Sequence, residues 1–260
     1  MKLTLASLLL LLTAYTHGCD RIYSFQVGPF FSTSSVLRYW DDFASAVTKA
    51  SKCRLKIVTT SSYEDYLSSI IEMRHDVYLS PSHYGQAFIN QGYTPILTTT
   101  EHAKLYLVTR LDVSNNNFGK LAGTTISVPS PYTRAFLTLE EWLQKHDLID
   151  KVTYDFNHSH DSAALVMLKG GRSSTVMLSV IYDALPEVIR KTYTAIELSS
   201  QAGGLLHVRP SLPSQLVEAI KQSPQHLGFQ KWAIAKPPFN DPYQSKLIEQ
   251  FEDFKRKTAN

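Results

Sequence analysis

Short β-rich runs alternate with amphipathic helical stretches along most of this 260-residue chain, and that alternation constrains the fold more than any other feature. IYSFQV reads as a strand. Over residues 33–52 the apolar side chains of Val36, Trp40, Phe43 and Val47 recur every three or four places, which marks a helix with one buried face. RLKIVTT is a second strand, and Ser62 then caps a helix whose buried face is Tyr63, Tyr66, Leu67, Ile70 and Ile71. HDVYLS is a third strand, SPSHYGQAF a turn leading into a helix, and YTPILTT a fourth strand. Alternation of this kind predicts a parallel sheet with right-handed crossovers.

The pattern breaks around residues 100–110, where the strand AKLYLVTR is followed by a polar Asn115-Asn116-Asn117 loop. It restarts with TTISV, a helix over residues 131–146, KVTYDF, a helix over residues 161–169, STVML and a helix near Tyr182. TYTAIEL and LLHVR carry the chain back, and amphipathic stretches at residues 213–222 and 241–257 close it. The expected fold class is therefore α/β: two lobes, each a mostly parallel sheet flanked by helices, joined by two crossing segments near residues 101–109 and 199–209. Lobe 1 is expected to comprise residues 19–101 and 203–260, and lobe 2 residues 102–202. A cleft between them is the natural ligand site.

Residues 1–18 read as an export leader: Lys2, an apolar stretch at residues 3–12, and small residues ending at Gly18. The apolar stretch is short for a bilayer span. Cys19 then becomes the first mature residue, which raises lipid attachment, although Thr16 stands where a lipidation signal wants an aliphatic residue. Cys19 and Cys53 both lie immediately before strands, and neighbouring parallel strands would bring them together at one sheet edge. In an oxidising compartment a Cys19–Cys53 disulfide is the expectation over lipidation or two free thiols. The net charge of +3 is too mild, and too evenly spread, to call for a nucleic-acid partner.

In parallel α/β sheets, ligands bind beyond the carboxyl ends of the strands. The turns there are GPFFSTSS, TTSSYED, SPSHYG (containing Ser80), VPSPYTR and NHSHDSA. They are rich in Ser, Thr, Tyr and His, and they carry no G-x-S-x-G, no glycine-rich phosphate loop and no H-E-x-x-H. Catalytic residues and cofactors are accordingly not expected. Helix N-termini offer unpaired N–H groups and partial positive charge, which suit an oxyanion; the plain alternative is that the hydroxyls merely cap helices. In VPSPYTR, Ser130 is read as the cap and Pro131 as the first helical residue, leaving Thr133 and the backbone N–H groups for a ligand, with Tyr132 or Arg134 shaping one wall. Tyr63 either donates its phenol into the cleft or begins its helix's buried face. His160 can donate to an anion or be structural. Arg134 can clamp an anion or point to solvent. His158 and His160 raise a metal, but only Asp155 and Asp161 stand near to complete a shell, and no metal site is expected.

The order of these features resembles the phosphate/phosphite/phosphonate-binding proteins of bacterial ABC importers, members of the type II periplasmic binding fold. VGPFFSTSSVLRYWDDFASAV, TTSSYEDYLSSIIEMRHDVYLSP, SVPSPYTRAFLTLEEWL and HSHDSAALVMLKGG carry the resemblance, collinear over about residues 22–225. It implies ligand contact at Tyr63 and His160. It puts Tyr132, Thr133 and Arg134 where that family commonly shows Ser-Thr-Ser, so only Thr133 keeps a compact hydroxyl. VMLSVIYDAL and SSQAGGLLHV lack carboxylates at the positions aligned with acids that recognise aminophosphonates, so an amino-bearing ligand is not expected. The implied function is a monomeric periplasmic solute-binding protein, not an enzyme, that closes over a small oxyanion and presents it to an inner-membrane ABC permease. The alternative is a ligand-sensing subunit reporting to a sensor kinase. An enzyme using His160 and Asp161 is a third reading, without a nucleophile or metal shell to support it.

Overall fold

The computed structural model describes residues 19, 21–113, 117–227, 231–236 and 241–258. The expected leader and most of the Asn115-Asn116-Asn117 loop lie outside the described residues. β1 (Tyr23–Val27), β2 (Leu55–Thr59) and β3 (Val77–Pro81) pair in parallel, linked by helices α1 (Thr33–Ser51) and α2 (Tyr63–Ile71). The short helix α3 (Gly85–Asn90) leads to β4 (Thr94–Thr99), from which β5 (His102–Thr109) crosses into a second sheet. There β6 (Thr125–Val128), β7 (Thr153–Phe156) and β8 (Ser174–Leu178) are again parallel, joined by α4 (Arg134–Lys145) and α5 (His160–Leu168). Two short helices, α6 (Ser179–Asp183) and α7 (Glu187–Arg190), precede β9 (Thr194–Ala202), and β10 (Gly204–Val208) crosses back. Helix α8 (Ser214–Gln222), β11 (Trp232–Ile234) and helix α9 (Gln244–Thr258) end the described chain.

The strand orders are β11-β4-β10-β3-β1-β2 and β7-β6-β8-β5-β9. β10 inserts antiparallel between β3 and β4, so β1 to β4 all run one way. β5 does the same between β8 and β9. These two reversed strands are those that enter each lobe from the other, and the edge strand β11 is also antiparallel to β4, so each sheet is mixed although its helix-linked strands are parallel. At the joint, the Thr99 hydroxyl accepts from the N–H groups of Gly203 and Gly204 at 2.9 and 3.0 Å, tying one crossing segment to the other.

The amphipathic helices bury the faces their spacing predicts. Val36, Trp40, Phe43 and Val47 of α1 join Leu216 and Ile220 of α8 against Phe25, Val27, Val77 and Leu79 of the first sheet. On the opposite face, Tyr66, Leu67 and Ile70 of α2 belong to a larger apolar cluster that continues into the second lobe through Ala135, Phe136 and Leu139 of α4. Leu247, Phe251 and Phe254 of α9 are buried in that same cluster. The last helix rests on lobe 1 beside α2 and α3. It also reaches α4, where Tyr243 donates to Glu141 at 2.6 Å and Lys246 meets Glu140 at 3.5 Å.

The parallel register Tyr23↔Leu55 brings the residues preceding β1 and β2 together, and Cys19 and Cys53 are joined in a disulfide with their Cα atoms 4.8 Å apart. Closing a loop with a sequence separation of 34 stabilises the fold by about 3–4 kcal/mol in the chain-entropy account. No helix among the described residues is long and apolar enough to cross a membrane.

If α9 contributes to the shared core as its burial indicates, Phe251→Ala should lower the unfolding free energy by about 3–5 kcal/mol. Urea unfolding measures this directly, and a loss below about 1 kcal/mol would show that the helix is an appendage.

Candidate functional site

The strand ends and helix starts converge on a cavity of about 380 Å³ between the lobes. Lobe 1 contributes Phe30 from the turn before α1, Tyr63 from the start of α2, and Ser80 and His83 around the end of β3. Lobe 2 contributes Thr133, Arg134 and Ala135 from the start of α4, His160 from the start of α5, and Ser179 from the start of α6. Gly28 permits part of this. A Cβ there would come within 2.7 Å of the Phe30 ring, so only a glycine lets that ring fold back over the end of β1.

The lobes touch at backbone level across the cleft. The N–H of His160, first residue of α5, donates to the Phe30 carbonyl at 3.2 Å. The N–H of Ser32 donates to the Asp161 carboxylate at 2.8 Å. Part of the N-terminal partial charge of α5 is thus satisfied by lobe 1 itself. α4 has no acidic residue in its first turn, and the N–H groups of Arg134 and Ala135 open it at the cavity wall.

The residues expected at the site from sequence are distributed unequally. Tyr63 is buried in the wall, and burial raises its phenol far above the ordinary value, so it is a neutral donor there. The Ser80 hydroxyl is within 3.0 Å of His207 Nε2 and donates to the Pro81 carbonyl at 3.2 Å, so its hydrogen-bonding capacity is largely used. Thr133 lines the cavity, but its hydroxyl donates to the Ser130 carbonyl at 2.8 Å and accepts from the Phe136 N–H at 3.2 Å. Thr133 rather than Ser130 is therefore the cap, and α4 begins at Arg134 rather than at Pro131. Ser130 instead accepts from the Tyr132 N–H at 3.3 Å within the turn. Tyr132 is not in the wall. Its ring meets Phe254 edge-on at 5.8 Å, and its carbonyl accepts from the Tyr84 hydroxyl at 2.6 Å.

Arg134 neither points to solvent nor waits with an open charge. It pairs with Asp241 at 3.0 Å, donates to the Ser82 hydroxyl at 3.1 Å, and lies 5.7 Å from the Tyr243 ring centroid. Ser82 donates in turn to Asp241 at 2.7 Å. This clasp joins lobe 1, lobe 2 and the C-terminal segment, and the Asp241 side chain is only 3% exposed.

Two further residues escaped the sequence reading. His83 sits in the wall at 1% exposure, and neither ring nitrogen has a hydrogen-bond partner among the described residues. Burial, assisted by the Arg134 guanidinium, pushes its imidazole well below the ordinary value. Its only sequence signal was its place in SPSHYG, two residues beyond Pro81. Asp241 carried no local signal. The wall also includes Glu101, outside the two segments read as lacking acids, and Asp183, within VMLSVIYDAL. Both stand at the mouth, Glu101 paired with Lys231 at 3.2 Å and Asp183 facing Arg190 at 3.9 Å. Among the described residues, no three His, Cys, Asp or Glu side chains gather in a way that could hold a metal.

His160 is 5% exposed, its Nδ1 has no partner among the described residues, and burial pushes its imidazole down to about 4. His207, wholly buried, is pushed down to about 3 for the same reason.

A two-lobed α/β molecule with strand ends and helix starts facing a shared cleft is built as a solute receptor of the periplasmic-binding type. Residues 25–228 match the model of the family described as ABC transporter, phosphonate, periplasmic substrate-binding protein, and the chain belongs to that family. Among solved structures it is similar to PhnD1 from Prochlorococcus marinus in complex with methylphosphonate, at 13% identity and TM-score 0.70, covering 92% of this chain and 98% of that one. It is also similar to a binding protein component of an ABC phosphonate transporter from Pseudomonas aeruginosa, at 12% identity and TM-score 0.67, covering 92% and 87%. A Xanthomonas citri protein bound to chloride follows at 11% identity and TM-score 0.61, covering 92% and 98%. No curated protein sequence matches the chain. β11, Asp241 and α9 all lie beyond the span matched by the family.

Removing Arg134 leaves a buried carboxylate without its counter-charge, so Arg134→Ala should cost about 3–5 kcal/mol. Arg134→Leu combined with Asp241→Asn should cost much less, and equal losses in single and double variants would show that the pair is not the source. A second expectation concerns acid. A neutral buried imidazole binds fewer protons folded than unfolded, so the stability due to His160 is present above about pH 6.5 and is lost as pH falls toward about 4. His160→Gln should shrink the acid-induced fall in Tm across that window, and an unchanged fall would remove His160 from the account.

Proposed function

We propose that this chain is the exported receptor of an ABC importer and that it captures a phosphonate-like oxyanion between its lobes for delivery to an inner-membrane permease. The observation that carries this reading is the convergence of neutral donors and helix starts from both lobes on one interlobe cavity. The start of α4, free of acids in its first turn, supplies backbone N–H groups and partial positive charge. Tyr63 and His160 add neutral donors from opposite sides. Each such contact to an anion is worth about 1.5–3 kcal/mol when desolvated.

In this reading Arg134 contributes through its position rather than as an open clamp, because Asp241 already balances its charge. Ser80 and Thr133 shape the wall and hold neighbouring groups in place. Tyr132 acts at one remove, through its packing on Phe254. The family is a transporter component that binds solute, and the proposed cycle is hinge closure and release with no covalent step.

Isothermal titration of the full chain with methylphosphonate, phosphite, phosphate, sulfate and acetate tests this directly. At least one phosphorus oxyanion should bind more tightly than sulfate and acetate. His160→Ala should weaken that binding about tenfold or more at neutral pH while the protein stays folded. Absence of binding to every phosphorus oxyanion, or full affinity in the variant, would count against the proposal.

A further inference from the structure

We infer that the cleft selects its phosphonate by the organic substituent, taking one with a bulky apolar or aromatic group, and that His83 is a further residue contacting the bound ligand. This rests on the phosphonate reading above and specifies the class of ligand within it.

Size is the first argument. A phosphorus oxyanion with at most one methyl group fills a few water-sized volumes of about 30 Å³ each. The cavity measures about 380 Å³, within the range of clefts that enclose whole organic ligands of roughly 300–1,000 Å³. An inorganic anion alone would leave most of it empty.

Chemistry of the wall is the second. Away from the helix starts it includes Phe30, Phe31, Trp40, Leu178 and Trp232, beside the polar Glu101, His102 and Ser199. Phe31 and Trp40 are already packed ring to ring at 6.0 Å, a rigid apolar floor that needs no reordering to receive a substituent. Such a surface stabilises a ligand in proportion to the apolar area it covers, and gives nothing to a bare oxyanion.

Charge is the third. The guanidinium in the wall is balanced by Asp241, and the carboxylates at the mouth face cations of their own. Among the described lining residues Arg134 is the one Lys or Arg, so hydrogen bonds and apolar contact must supply the affinity. His83 fits that need. It lines the wall at 1% exposure with both ring nitrogens buried and unpartnered, and a buried polar group left without a partner is costly. A ligand oxygen within reach relieves that cost, with one ring nitrogen as its donor. His160 lines the cavity from the other lobe, its own Nδ1 buried without a partner among the described residues.

The test is titration of the full chain with phenylphosphonate, methylphosphonate and inorganic phosphate. Phenylphosphonate is expected to bind at least tenfold more tightly than methylphosphonate, with phosphate weakest. Methylphosphonate binding as tightly or more tightly overturns this inference and leaves the phosphonate receptor standing, whereas binding of neither phosphonate overturns both. Trp232→Ala, on a short edge strand, should reduce the preference for phenylphosphonate over methylphosphonate about tenfold, and an unaltered preference overturns the apolar wall as its source. His83→Phe keeps the ring and removes the nitrogens. It should weaken phenylphosphonate about tenfold, and full affinity in a folded variant overturns the role of His83.

Discussion

Three segments meet where the Arg134 guanidinium bonds Asp241 and Ser82, and the geometry of the cleft depends on that meeting. Arg134 starts a helix of the second lobe, Ser82 follows the last turnward strand of the first, and Asp241 arrives from a segment 159 residues after Ser82. Bringing a carboxylate to 3% exposure is costly unless its partners are already aligned. Here a hydroxyl and a guanidinium both address it, so the pair is satisfied rather than merely close. The arrangement sets the start of α4 at a fixed place against lobe 1. It also makes the C-terminal segment part of the cleft's frame, although that segment lies outside the span the chain shares with its family.

The same clasp decides the electrostatics of the site. An arginine with no partner would draw dianions into the cleft; one neutralised by Asp241 leaves backbone N–H groups, a phenol and imidazoles as the donors. Burial keeps the phenol of Tyr63 protonated and the imidazoles of His83 and His160 uncharged. A site of that kind discriminates by hydrogen-bond geometry and by fit more than by charge, because unmatched polar groups cost more than a long-range field returns. Its dependence on salt is correspondingly weak, since the groups are buried and neutral.

Much of this was legible in the sequence because the signals were local. Short β-rich runs placed the strands, and apolar residues every three or four places gave the buried faces of α1 and α2, since burial on one face dictates which residues must be apolar. Parallel neighbours placed the cysteines together for the same reason. The start of α4 was misread because VPSPYTR contains two equivalent caps, Ser130 and Thr133, three residues apart. Local chemistry favours Ser130 with Pro131 behind it. Contacts made elsewhere decide for Thr133: Tyr84 holds the Tyr132 carbonyl, and Asp241 holds Arg134. His83 was invisible for a different reason. A histidine in a turn looks the same whether its ring is satisfied or not, and only the packed environment shows that both nitrogens lack partners among the described residues.

Motion between the lobes is shaped by which contacts are weak. The bond from His160 to the Phe30 carbonyl is a neutral one, worth about 1 kcal/mol net. That from Ser32 to Asp161 is charge-assisted and somewhat stronger. Both can be exchanged for water at modest cost. Parting the Arg134–Asp241 pair would instead strand a charge in a poorly solvated place, and detaching α9 would expose Leu247, Phe251 and Phe254. Opening that breaks the first set and keeps the second is therefore the less costly route. Such an opening would pivot about the clasp and the crossing segments that Thr99 ties together, parting the side beside Phe30 and His160 first.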